Sequence, residues 1–515
     1  MKLLRTYFSK DRFMEDLFCI LALIMLVPLF YLCLTKIGTN PDPSIEYITI
    51  SDTPWQKNLL KLALALGVII VIGLFYDSFL YRIPDRILLT ISCVIVTVIA
   101  ITWVVLTKTS PEADQQAAYI YATMYLEGDR SMLAQGGYMS LNSQNLGLMY
   151  VWMILIRLFG EEPYLQFKII VAAMLPALVI SGYHITGFLS EHSRKAQFFY
   201  LLFMVTNFPI YGYTPFLYGD LISTILIMCS LWCFMSLLHK PRVYKALLLF
   251  LLCALAVFMR MNAVIMLVAY LVVIVGLFIR SILKKKNHKH TYLSFILATI
   301  AIICSILASK IAINKLFDIP EDAPATPALA YIYMGNYDWD YPGWWNGSHV
   351  QIFSSNNYDV KATNKAAVKE LQEVFEHCKE DPEFFKSFYG YKLIAQWETP
   401  MYQCLPMSRL YNKGSFSWVS DIYNRQGIGL LIEKYMKLYQ LLLYFSLLVL
   451  ILIRLFKKQF DLIWYTPLIG VFGGFLFSLI WEAKGRYVFP YFVYAIPYMA
   501  CVCGSIFRYQ KNRVG

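Results

Sequence analysis

About a dozen apolar runs, each near the length of a membrane crossing, divide this chain, and no other feature limits its fold as strongly. A helix needs ~20 apolar residues to cross the hydrocarbon core, because no water is present there to satisfy a backbone group that the helix leaves unpaired. The runs predict spans at 17–35, 58–75, 86–107, 163–185, 197–212, 218–238, 243–260, 262–281, 291–313, 430–455, 461–480 and 488–507. Composition agrees. Charged residues make up 15% and hydrophobic ones 58% of the chain, against roughly 25% charged in a soluble protein. The first run lacks a following small-residue cleavage site, so it predicts an anchor and not a removable leader. The expected fold is an all-α polytopic membrane protein of about 12 transmembrane helices.

The net charge of +12 is not a nucleic-acid footprint, because the basic residues stand in short runs between apolar segments, where orienting charges belong. One set of connections holds Lys2, Arg5, Lys10 and Arg12, then Arg82 and Arg86, Arg194 and Lys195, and Lys240, Arg242 and Lys245. It continues with Arg280 and the Lys284–His290 run, Arg454, Lys457 and Lys458, and Arg508, Lys511 and Arg513. Twelve spans threaded in order put all of these on one side. The positive-inside rule makes that side cytoplasmic, with both termini there and a plasma-membrane location. The other side receives two long stretches, 108–162 and 314–428. The first contains the apolar segment 146–159, too short to span and followed by Gly160-Glu161-Glu162; it predicts an amphipathic helix sunk in the outer leaflet. The second is long enough to be a small extracytoplasmic domain, with an amphipathic helix at 363–380. Nine of the 11 cysteines lie in apolar spans as small hydrophobes. Cys378 and Cys404 lie outside them, and a disulfide between them is open if the loop faces an oxidising space.

Ionisable residues at the edge of a span are costly and are candidates for function. Under this threading, clusters fall on the outer face: Glu112 and Asp114 after the third span, Tyr218-Gly219-Asp220 at the sixth, Arg260 and Asn262 between the seventh and eighth, and Glu482, Lys484, Arg486 and Tyr487 between the last two. Snorkelling and helix capping are the plain alternative, above all for Lys484 and Glu112. A carboxylate can act as general base toward a hydroxyl, and an arginine can hold a phosphate through two parallel hydrogen bonds. Trp339, Trp344 and Trp345 suit stacking on sugar faces and equally suit an interfacial belt. Together these groups fit transfer of a sugar from a lipid-linked phosphate. Asn346-Gly347-Ser348 is a sequon that matters only in a eukaryotic secretory pathway, and the chain has a bacterial cast. The Lys284–His290 run predicts a solvated cytoplasmic anchor. His349 has no second ligand at helical spacing, so no metal site is expected.

The ordered set resembles the GT-C superfamily of polyprenyl-phosphate-sugar-dependent glycosyltransferases, in the branch of protein O-mannosyltransferases and aminoarabinose transferases, Gram-positive type. The residues that carry the likeness are Asp114, Gly128-Asp129, Gly137-Tyr138, Gln144 and Leu158-Phe159-Gly160; then Tyr218-Gly219-Asp220, Arg260 with Asn262, and Gly343-Trp344-Trp345-Asn346-Gly347. Lys392, the run Gln396-Trp397-Glu398-Thr399-Pro400, and Arg486-Tyr487 complete it. The resemblance implies a GT-C-like helical bundle with amphipathic helices in its first outer loop. It also implies Asp114, with Glu112 as the alternative, as the catalytic base. Arg486, Tyr487, Arg260 and Lys392 would be donor-phosphate ligands, and Asp220, Tyr218, Gln144, Trp344, Trp345 and Trp397 substrate contacts. Two departures stand out: the acids form Glu112-x-Asp114 where relatives carry adjacent ones, and 142–145 (NSQN) lacks an expected proline. Members differ in whether they use a divalent cation, so the cofactor stays open. The organisation expected is two additional helices in 1–85, a core in 86–313 with its first outer loop at 108–162, the loop domain 314–428, and final helices in 429–515.

The expected function is therefore transfer of a sugar from a polyprenyl-phosphate carrier to a cell-envelope acceptor, with membrane lipids as surroundings and no nucleic-acid partner. The competing readings are a lipid-linked glycan polymerase or ligase using a diphosphate carrier, and a flippase or transporter of lipid-linked glycans. A transporter needs a charged path through the bundle centre, and few ionisable residues fall in mid-span.

Overall fold

The computed structural model describes residues 13–40, 46–283, 289–337, 341–408, 416–456 and 461–506. The helices in chain order are α1 (Phe13–Thr35), α2 (Trp55–Ser78), α3 (Asp85–Thr107), α4 (Asp114–Leu126), α5 (Tyr138–Leu141), α6 (Leu146–Phe159) and α7 (Tyr164–Leu189). They continue with α8 (Arg194–Val205), α9 (Phe208–Gly212), α10 (Asp220–His239), α11 (Val243–Met259), α12 (Val264–Leu283) and α13 (Lys289–Phe317). The loop domain supplies α14 (Ala328–Met334), α15 (Ser348–Ser355), α16 (Val360–Glu380), α17 (Pro382–Trp397) and α18 (Ser417–Tyr423). Last come α19 (Gly427–Phe456), α20 (Thr466–Ile480) and α21 (Gly485–Ser505). Among the described residues, ten helices are long and apolar enough to cross a membrane, and α11 is a shorter apolar helix. The protein is an all-α, multi-pass membrane protein. Its described sheet is one antiparallel hairpin, β1 (Lys36–Thr39) with β2 (Thr49–Asp52), which the sequence reading did not anticipate.

The expected span at 197–212 is not one helix. Pro209 has no N–H to donate to the preceding turn, and the chain breaks at Thr206-Asn207 into α8 and α9, which leaves Pro209 in the first turn of α9, where that N–H is not needed. The carbonyl of Val205 receives the Tyr211 hydroxyl at 2.8 Å instead, which meets the need for internal partners at membrane depth. The two pieces still connect opposite faces of the bundle. At the start of α8, Arg194 bonds Asp85 and the carbonyl of Ile83. Beyond α9, Gly212 O receives the Ser408 hydroxyl and Leu217 N donates to Gln115. One face thus carries Arg194, Lys195, Asp77 and Asp85 in ion pairs, and we call it the basic face. The opposite, or site, face carries the long connections. The helix α6 stays on the site face: Asn145 before it meets Tyr218 and Glu162 after it donates its N–H to Tyr119. The runs Lys2–Arg12, Lys284–Lys286, Lys457–Lys458 and Arg508–Arg513 lie outside the described residues, as does Trp339.

The N-terminal pair of helices is not an appendage. Helix α1 lies along α19, and the hairpin is tied down by a buried ion pair, where Lys437 of α19 donates to Glu398 at 3.1 Å and to the carbonyl of Lys36 at 2.9 Å. The loop domain docks on the ends of α20 and α21 through backbone contacts that leave no room for side chains. A Cβ added at Gly335 would meet the carbonyl carbon of Trp481 at 2.6 Å. Around it, Ala483 N donates to Gly343 O at 2.6 Å and Asn336 Nδ2 to Ile480 O at 2.9 Å. This docking brings residues near 331–349 over the connection that carries Glu482 to Tyr487. The amphipathic helix expected at 363–380 is present as α16. Cys378 and Cys404 are not joined by a disulfide: Cys404 is wholly buried, with Gly212 packed on its side chain, whereas Cys378 sits near the end of α16.

Candidate functional site

The site grows from three short connections on the site face and from the end of α11. After α3, the chain turns through Ala113 at a φ of 49°, a region where a β-carbon is strained. That turn delivers Asp114 to the first position of α4. The Tyr138 hydroxyl donates to Asp114 Oδ1 at 2.7 Å. Tyr218 donates to Asn145 at 2.5 Å, and its hydroxyl also stands 3.5 Å from Asp114 Oδ2. Next to Tyr218, Gly219 touches the end of α11 so closely that an added Cβ would lie 2.5 Å from Met259 O and 3.0 Å from Arg260 Cγ. The close approach lets Asp220 pair with Arg260 at 3.2 Å while Arg260 lies over the Tyr218 ring, 4.7 Å from its centre.

The third connection supplies Arg486. Its guanidinium is 5.4 Å from the Tyr218 ring centre and 5.1 Å from that of Tyr487. Arg486 is 6% exposed, Nη2 donates to the Tyr487 hydroxyl at 3.2 Å, and Nη1 reaches only the Met407 sulfur at 3.6 Å. Its Nε has no hydrogen-bond partner. Among the described residues no carboxylate forms an ion pair with it, whereas Arg260 has Asp220, and Lys484 has Glu46 at 2.8 Å and Glu482 at 3.1 Å. Tyr487 donates onward to Glu482 at 2.8 Å. Gln403 braces the group, accepting from Arg486 N and donating to Glu46 O.

These groups face one cavity of about 940 Å³. Asp114, Gln144, Tyr218, Arg260, Glu482, Lys484, Arg486 and Tyr487 line its polar part, Tyr331, Trp345, His349 and Trp481 an aromatic part, and Val257, Phe258, Ile306 and Ile313, interrupted by Ser309, Lys310 and Asn314, a mostly apolar side between α11 and α13. Burial by itself would raise the Asp114 pKa. The charge of Arg486, the Tyr138 hydroxyl and the charges of Lys484 and Arg260 outweigh it and hold the carboxyl below its ordinary value. Asp114 is therefore ionised at neutral pH. In the aromatic part, burial pushes the His349 pKa down to about 4, so that imidazole is neutral.

Of the residues singled out from the sequence, Asp114, Gln144, Tyr218, Arg260, Arg486, Tyr487 and Trp345 meet this cavity, and Asp220 stands just behind it on Arg260. Others stand apart. Lys392 is wholly buried and donates to Gly335 O at 2.5 Å. Burial lowers its pKa to about 7; it clamps the loop domain and does not line the cavity. Trp344 packs under Ile48 and Ala395. Trp397 donates to Ser478 at 3.0 Å inside the protein. Glu112 does not line the cavity; its carbonyl accepts the N–H of Gln115. The sequence reading passed over Tyr138 as a carboxylate partner, Asn145, Glu46, Tyr331 and Trp481. An aromatic or amide gives no periodic signal of its own, and Glu46 reaches Lys484 only because the N-terminal hairpin folds over the distant α21. Among the described residues no three His, Cys, Asp or Glu side chains gather into a metal-binding group.

No match to this chain is found among curated proteins. A family model does match, over residues 7–355. That range takes in α1 to α15 and hence Asp114, Tyr218 and Arg260, and the chain belongs to the family described as conserved hypothetical integral membrane proteins.

Proposed function

We propose that this chain is a membrane glycosyltransferase of GT-C type that moves a sugar from a polyprenyl-phosphate carrier to a cell-envelope acceptor. The observation that carries the reading is one juxtaposition. An ionised Asp114 and a buried guanidinium without a carboxylate partner, Arg486, face the same cavity, whose apolar side lies between two membrane helices. Asp114, Asp220 and Glu46 act on Arg486 through their charge, but none bonds it at ion-pair distance and its Nε has no partner; a phosphate would supply two charge-assisted hydrogen bonds. The apolar side suits an isoprenoid chain.

In this reading the acceptor hydroxyl loses its proton to Asp114 as its oxygen attacks the anomeric carbon. The bond from that carbon to the phosphate oxygen breaks, and its electron pair leaves with the polyprenyl phosphate. Arg486, backed by Arg260, holds the charge that develops there. Lys484 pairs with both Glu46 and Glu482 and offsets part of their charge. We take the site face as extracytoplasmic, since the threading of the sequence assigns the basic connections to the opposite side, where Arg194 and Lys195 lie; nucleotide sugars are not expected outside, which favours a lipid-linked donor.

The transporter reading finds less support. Buried ionisable side chains such as Lys168, Asp220, Glu433, Lys437 and Arg486 sit within about three turns of the site-face ends of their helices, so the described residues offer no charged path to the basic face. The test uses purified protein in nanodiscs with a panel of undecaprenyl-phosphate sugars and envelope extract as acceptor. Asp114→Asn is expected to lower transfer by roughly 10²–10⁴-fold while the protein stays folded, because asparagine keeps the Tyr138 contact but takes no proton. Near wild-type transfer by that variant would remove Asp114 as the base. Turnover with diphosphate-linked glycans alone would favour the polymerase or ligase reading.

A further inference from the structure

The cavity has an aromatic end, with Glu482 beside it, that the phosphate chemistry leaves unused. Tyr331 of α14 stacks on Trp481, with ring centres 5.4 Å apart and planes 17° apart, and meets His349 of α15 at 4.6 Å. Trp345 stands edge-on to His349 at 6.5 Å and is 55% exposed, at the cavity mouth. Two lining side chains that are more than nine-tenths buried keep polar atoms without hydrogen-bond partners: His349 Nδ1 and Thr326 Oγ1. Gln144 donates to the Tyr331 hydroxyl at 3.2 Å and so connects this end to the loop that holds Asn145 and, through Tyr218, Asp114.

An apolar ligand would leave the buried polar atoms unsatisfied, at a cost in affinity. An anion would find no cation among these groups, and His349 is neutral because burial lowers its pKa. What fits is a neutral, flat-sided, hydroxyl-bearing ring. Its C–H face would lie against an aromatic plane and its hydroxyls would both donate and accept, as a hydroxyl and a neutral imidazole can.

We propose that Tyr331, Trp345, His349 and Trp481, with Thr326, form a pyranose-binding subsite in which a sugar ring lies on the aromatic wall beside Asp114. This rests on the glycosyltransferase reading and deepens it by giving the sugar a place apart from the phosphate at Arg486. The ring belongs either to the donor or to the acceptor glycan, and the chemistry that binds it is the same.

The test is saturation-transfer NMR on the full-length protein in nanodiscs, with a panel of methyl pyranosides as probes. Sugar-free undecaprenyl phosphate is titrated separately. Trp345→Ala is expected to weaken the bound glycoside by about tenfold, the loss typical of truncating an aromatic anchor, and Trp345→Phe to recover much of it. His349→Gln is expected to change which hydroxyl pattern is preferred. Arg486→Ala should leave glycoside binding intact while weakening undecaprenyl phosphate. Displacement of the glycoside by undecaprenyl-phosphate sugar but not by bare undecaprenyl phosphate assigns the ring to the donor; retention beside the loaded carrier assigns it to the acceptor. Either pattern supports the subsite. Glycoside binding that is absent in wild type, or unchanged in Trp345→Ala and His349→Gln, overturns it. If undecaprenyl phosphate still binds in an Arg486-dependent way, the glycosyltransferase reading stands without the subsite. If neither probe binds, both fall.

Discussion

Arg486 concentrates the questions that single residues can answer. It is buried, stands over two tyrosine rings and lacks a carboxylate within ion-pair reach among the described residues. Arg486→Lys keeps the charge but loses the planar fork, whereas Arg486→Ala loses both. Removing one partner of a buried, hydrogen-bonded charge pair costs ~2–5 kcal/mol, so undecaprenyl-phosphate affinity should fall steeply in the alanine variant and less in the lysine one. Equal affinities in all three proteins would take the phosphate away from this residue. A second expectation concerns pH. The Asp114 carboxyl is held below its ordinary value by Arg486, Tyr138, Lys484 and Arg260 acting against burial, so in the unliganded protein it stays ionised further into acid than an ordinary carboxyl does. A phosphate on Arg486 would offset that positive charge and raise the Asp114 pKa, making it a stronger base once the donor is bound. Accordingly, the acid limb of kcat should lie at higher pH than that of kcat/KM, which report the complex and the free enzyme respectively. Coincident limbs would argue against coupling between the two groups.

The informative features among the elements are the places where connections touch. Tyr218-Gly219-Asp220 is legible in the sequence as a motif, but its reason is tertiary. Only a residue without a Cβ lets the start of α10 reach the end of α11, where Asp220 meets Arg260. Gly219→Ala is expected to cost ~1–3 kcal/mol by overpacking and to move Arg260 away from Tyr218; thermal unfolding of the purified variant, read beside its transfer rate, checks both. A variant as stable and active as wild type would show that the close approach is not needed. The broken helix at Thr206-Asn207 teaches the converse. Apolar content alone predicted one span at 197–212, while Pro209 carried the local information that stops it. The likeness of Lys392, Trp344 and Trp397 to family positions placed them in the site, yet each is buried in the docking of the loop domain. Polar and aromatic residues serve packing and chemistry alike, and sequence spacing does not separate the two.

For the whole molecule, the bundle has two unlike faces, one carrying the ion pairs of Arg194 and Lys195 and the other the cavity. If the cavity faces outward, a membrane-impermeant thiol reagent should label a cysteine placed at Ser355 in intact cells, and one at Lys240 only after permeabilisation. The background is a variant without native Cys304 and Cys378. The opposite pattern would invert the orientation and with it the case for a lipid-linked donor. What the sequence by itself determined is the membrane class, most span positions and a short set of charged edge residues. Each follows from local rules, since an apolar run of membrane length and a charge beside it have few other uses. Which edge residues meet was decided only by the tertiary structure. Asp114, Tyr218, Arg260 and Arg486 come from four separate connections spread from residue 114 to residue 486, and Glu46, Tyr138, Tyr331 and Trp481 join them through the folding of the N-terminal hairpin, the first loop and the loop domain. Side-chain pairing across such separations depends on how helices pack and loops dock, and no local pattern in the chain encodes it.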